Sequence, residues 1–159
     1  MKTFIFIFTL VLLLNSCIEK QIRGVIVDVG VKITIQDKAG VDLLNPHNPG
    51  AYLYENIKTY TLEHGVKTEV FRGNLDYPKD FLMYENDGKY FMRLFLNGSL
   101  DGDLGVTYVQ WSENDMDTFK YEISTANDNI ICTKVWYNDS LVWTTADYSK
   151  RGRTVDIIK

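Results

Sequence analysis

Residues 25–35 read VIVDVGVKITI. Val25, Val27, Val29, Val31, Ile33 and Ile35 alternate with Ile26, Asp28, Gly30, Lys32 and Thr34. A period of two over eleven residues predicts a long β-strand with one apolar face. Gly30 falls on the opposite face and marks a bulge or bend.

The same grammar repeats along the chain. NIKTYTLE and VKTEVF flank His64-Gly65 and predict a hairpin. FLMY (81–84) and KYFMRLFLN (89–97) flank Asn86-Asp87-Gly88. VTYVQW (106–111), TFKYEIS (118–124) and IICTKVWY (130–137) are strand-like, and Asn138-Asp139 turns the last of them into SLVWTT. TVDIIK (154–159) reads as a closing edge strand. The stretches 41–50, 73–80 and 98–105 read as loops, with one helical turn at 51–57 after Pro49-Gly50. No stretch carries sustained helical periodicity. Short strands separated by Asn, Asp and Gly turns predict an all-β fold. A two-sheet antiparallel sandwich is the first expectation and a closed barrel the second.

Upstream of the first strand the pattern changes. Phe4 to Leu14 is apolar except for Thr9, and Lys2 is the lone charge before it. As a helix those eleven residues rise about 16 Å. A bilayer core of about 30 Å needs about 20 apolar residues, so the run is too short to span. It has the length of a secretory h-region. It ends in Leu14-Asn15-Ser16-Cys17 rather than a small-residue site. That looks like a bacterial lipobox, in which lipid is attached to the cysteine thiol and the chain is cut just before it. The expected organisation is a leader at 1–16, lipidated Cys17 with a tether to 24, and one β-domain at 25–159. Such an anchor, a thioether-linked diacylglycerol with an added N-acyl chain, holds a protein to a membrane without spanning it.

Loss of residues 1–16 removes Lys2 and takes the net charge from −4 to −5. A mildly acidic chain gives no electrostatic case for nucleic acid. The closest approach to a basic run, Lys150, Arg151 and Arg153, reads as a solvated turn. With Cys17 lipidated, Cys132 stands alone and reads as a small buried hydrophobe.

The lipobox, the long first strand, Asp37 to Pro46 (D-x-x-G-x-D-L-L-N-P), Asn56-Ile57-Lys58 with Tyr60, and Lys134 to Asn138 (KVWYN) together resemble small lipoproteins common in Bacteroidota. The resemblance implies a lipid-anchored envelope protein, outer-membrane in address, with no assigned reaction. Glu19 beside Lys20 is a weak form of the acidic signal that sends such proteins to the cell surface. The membrane face therefore stays open.

Sites of chemistry are sparse. DLLNP reads as a structural loop: Asp42 and Asn45 hydrogen-bond nearby backbone, while Leu43 and Leu44 plug the core. Asp101 and Asp103, with Asp115 and Asp117, have the oxygen chemistry calcium takes, but no twelve-residue calcium loop is present. They are read first as turn residues, and no metal or cofactor is expected. His47 and His64 sit at loop tips without a nucleophile motif. Phe119, Tyr121 and Ile123 share a face that should be core. Trp136 shares the other parity with Ile130, Cys132 and Lys134. Trp111, Trp136 and Trp143 either fill the core or offer a platform for sugars. The expectation is a non-enzymatic interaction module with a protein or glycan partner. A glycan binder is the runner-up and an envelope hydrolase the third reading.

Overall fold

The computed structural model describes residues 24–96, 100–101, 104–126 and 129–159. Cys17, the leader and Asp103 lie outside the described residues. Twelve strands are described: β1 Val27–Asp28, β2 Gly30–Gln36, β3 Lys58–Glu63, β4 Val66–Glu69, β5 Phe81–Asn86 and β6 Lys89–Phe95, then β7 Leu100–Asp101, β8 Leu104–Ser112, β9 Asp115–Ser124, β10 Ile130–Tyr137, β11 Ser140–Thr144 and β12 Thr154–Ile158. A 3-10 turn at Thr145–Asp147 leads into α1, Tyr148–Arg151. No helix among the described residues is long and apolar enough to cross a membrane.

The strands form two sheets. The larger runs β1-β10-β9-β8-β3-β4, with β11 beside β10 and β7 beside β8. The smaller runs β12-β2-β6-β5. Their inner faces share one core. Val31, Ile33, Ile35, Met92, Leu94, Phe81 and Ile157 come from the small sheet. Val109, Trp111, Phe119, Tyr121, Val135 and Trp143 come from the large one. This is the all-β two-sheet sandwich that the alternation predicts. Two pairings are parallel, β12 with β2 and β1 with β10, so both sheets are mixed.

The opening strand is not continuous. Val27–Asp28 joins the large sheet beside Ile130 and Ile131, and Gly30–Gln36 joins the small one. The chain changes sheets at Val29-Gly30. Gly30 therefore marks a crossing rather than a bulge within one strand. Val25, Ile26 and Val27 remain exposed because only two residues pair before the crossing. The predicted hairpins form. His64-Gly65, Asp87-Gly88 and Asn138-Asp139 all have positive φ, the backbone of type I′ turns. The stretch read as loop at 98–105 folds back instead, pairing Leu100 with Gly105 and Asp101 with Leu104.

The parity of β10 is also broken. Cys132 faces Ile123 and Lys134 faces Glu122, so Thr133 is an extra residue. That bulge turns both Cys132 and Val135 into the core. Trp136 is half-buried on the outer face, opposite Lys120. Arg153 departs further from its reading as solvated. It is buried and grips the Asp28 carboxylate at 2.8 and 3.1 Å.

Candidate functional site

The 41–57 segment folds across one end of the sandwich. Asp42 accepts from the Leu44 amide at 2.9 Å and from the Tyr90 amide at 3.1 Å, tying the loop to β6. Asn45 accepts from the His47 amide. Leu43 and Leu44 are buried in the core, as the sequence implies. The expected single turn forms, with the Asn56 and Ile57 amides donating to Leu53 O. Lys79 fixes that turn. Its ammonium donates to the carbonyls of Tyr54, Glu55 and Ile57 and lies 4.9 Å from the Tyr54 ring centre. Burial lowers its pKa from the ordinary lysine range.

Between this segment and β5–β6 lies a cleft of about 390 Å³. Tyr52, Tyr54, Tyr84 and Tyr90 line it, with Glu55 and Glu85. Tyr54 is exposed, and the other three rings are half-buried. Tyr84 stacks on Phe91 at 5.5 Å between ring centres. Rings with one apolar side and one wet side, flanked by carboxylate acceptors, suit a polyhydroxylated ligand.

Tyr52 is held from behind. Its hydroxyl donates to Asp115 Oδ2 at 2.6 Å, and its ring lies 5.6 Å from that of Trp111. The Lys159 ammonium bridges Asp115 and Asp117, 2.6 Å from an oxygen of each. Asp117 also accepts from Trp111 Nε1 at 2.6 Å, the Tyr137 hydroxyl at 2.8 Å and Asn138 Nδ2 at 2.7 Å. Burial alone would raise the Asp117 pKa. The bonds from Lys159, Asn138, Tyr137 and Trp111 outweigh it and hold the carboxyl below its usual range. Burial, and then the neighbouring carboxylates, push the Tyr52 and Tyr137 hydroxyls well above the ordinary phenol range.

Two of the four acids considered for calcium, Asp115 and Asp117, are thus brought together, but around an ammonium. Asp101 lies in β7 and Asp103 outside the described residues. No group of three or more metal-ligating side chains occurs among the described residues. Cys132 is fully buried, its thiol donates to Lys134 O, and burial raises it to about 11. Trp111 and Trp143 are core residues, which leaves Trp136 as the half-buried one. The Asp117 network has a sequence signal: residues 115, 117, 119, 121 and 123 share one parity. Reading Asp115 and Asp117 as turn acids passes over that.

A family model described as a domain of unknown function, DUF529, matches residues 103–158 faintly. That is well under half of the chain. It takes in β8 to β12 and the network except Tyr52 and Lys159. No curated protein and no solved structure matches.

Proposed function

We propose that this chain is a cell-envelope lipoprotein, lipid-anchored at Cys17, whose β-sandwich is a non-enzymatic binding module. The observation that carries the reading is the eleven-residue apolar run closing on Leu14-Asn15-Ser16-Cys17. The fold is compatible with it. Exposed Val25, Ile26 and Val27 follow Cys17 by eight to ten residues, within about 35 Å of extended chain. An exposed apolar edge within that reach of Cys17 supports the anchored reading. Cys17→Ser should abolish metabolic labelling with a fatty-acid analogue. Persistent labelling would sink the anchor.

A second reading is favoured by the tyrosine cleft: the module binds glycan there. Tyr54→Ala and Tyr84→Ala should each lose retention on a polysaccharide affinity gel while the melting temperature holds. Retention unchanged in both removes the cleft from binding. Shortened polysaccharide products would instead make the domain a hydrolase, with Glu55 and Glu85 as the carboxylates to mutate first.

A further inference from the structure

We propose that the outer face of the small sheet carries a binding site for a phosphate group. The site is a cleft of about 300 Å³ where β2, β6 and the α1–β12 connection meet. Lys32, Arg93, Arg151 and Arg153 line it, with a single carboxylate, Asp28.

Four cations gather here on a chain whose net charge is −4. Outside the cleft Lys58 is paired with Glu69, Lys120 with Asp139, Lys134 with Glu122, and Lys159 with two aspartates, whereas Lys38, Lys67, Lys79, Lys89 and Lys150 form no ion pair among the described residues. In the cleft only Arg153 is paired, with Asp28. Lys32, Arg93 and Arg151 form no ion pair among the described residues. Lys32 and Arg93 are direct cross-strand partners. Like charges facing across a ladder are destabilising by themselves.

The backbone is shaped to permit this crowding. A Cβ at Gly30 would lie 2.6 Å from Arg93 Nε, so glycine lets that guanidinium lie down on β2. Lys32 packs its ammonium 3.7 Å from the Phe91 ring centre, and Arg93 lies 5.6 Å from that of Phe95. Arg153 is the fixed member of the group. Its terminal nitrogens are held by Asp28, Gly30 O and Cys132 O, but its buried Nε has no hydrogen-bond partner.

With Arg153 and Asp28 cancelling, three positive charges remain. That balance matches a dianion better than a single carboxylate. Guanidinium forks bind phosphate oxygens in bidentate geometry, and an ammonium adds a point charge. The volume is at the small end for ligand sites and holds a phosphate with a modest substituent. A soluble phosphate ester and a lipid headgroup present the same chemistry.

The site does not depend on the anchor or on glycan binding, so its test is separate. The full-length chain in neutral, phosphate-free detergent is titrated with inorganic phosphate at constant ionic strength. The arginine Nε–H resonances are followed by NMR. The Arg93 and Arg153 signals should shift and saturate. Arg93→Gln with Arg151→Gln should weaken binding about tenfold or more with the melting temperature unchanged. Lys58→Gln with Lys120→Gln, on the other sheet, should leave it intact. A second arm replaces phosphate by micelles doped with phosphatidylglycerol. Tighter binding there that is lost in the arginine variant places the phosphate on a lipid. Binding to phosphate alone places it on a soluble ester. No saturation in either arm overturns the site, as does equal weakening by the two lysine changes.

Discussion

At the scale of single residues, Asp117 is the position on which most depends. Its carboxylate is buried, and its partners lie 6, 20, 21 and 42 residues away. Because its folded pKa is depressed, its contribution is complete above the unfolded value, about 3.9. That contribution is lost as the pH falls through the folded value. Lys159→Met removes the bridging cation and leaves two close carboxylates. It should cost about 3 kcal/mol at pH 7. The deficit should shrink as the pH falls through the depressed folded pKa of Asp117. Urea unfolding of both proteins across pH 2–8 checks this, and a pH-independent difference would refute the bridge. Gly105 sets a second condition. A Cβ there would lie 2.2 Å from the Tyr121 ring, directly across the ladder. Gly105→Ala should therefore cost about 2 kcal/mol by overpacking. Tyr121→Leu should recover part of that loss, which a double-mutant cycle reads as coupling. Neither condition was fully legible in the sequence. The parity of Asp117 was visible there, but Lys159 and the Tyr121 ring arrive through tertiary pairing.

At the scale of elements, alternation and turn chemistry were legible wherever a strand pairs locally. The β3–β4, β5–β6 and β10–β11 hairpins each rest on a two-residue turn whose residues both have positive φ. Asp and Asn tolerate that conformation, and glycine prefers it. His64, at φ 51°, is the least suited of the six. His64→Asn should stabilise the protein by about 0.5 kcal/mol without altering the fold. Chemical denaturation at fixed pH measures this, and a loss would mean that His64 makes a contact beyond its turn. What alternation could not show is a bulge. One extra residue at Thr133 moves Cys132 and Val135 to the same side, and period two predicts the opposite. The α1 turn escaped for a related reason. Four residues carry no periodicity, and its exposed Lys150 and Arg151 resemble a loop.

At the scale of the whole molecule, segments far apart in sequence close the fold. β12 pairs in parallel with β2, burying Val155 and Ile157, and Lys159 beyond it reaches Asp115 and Asp117 on the facing sheet. Arg153, just before β12, clasps Asp28 just before the sheet crossing, 125 residues away. A closing edge strand at 154–159 was legible from its pattern. Its parallel partner was not, because nothing local to a strand specifies which edge it joins. Removal of residues 154–159 therefore takes away three things at once: the cover on the β2 edge, two core side chains and the cation of the Asp115–Asp117 network. The expected result is loss of the cooperative melting transition, with strand signal retained by far-ultraviolet circular dichroism. Ile158→Ser is the contrasting variant. Ile158 is 73% exposed, and substituting it should shift stability by less than about 0.5 kcal/mol. If the shortened chain still melts sharply, the large sheet is self-sufficient and β12 is an accessory edge. If Ile158→Ser is as damaging as the deletion, an unseen partner covers that edge.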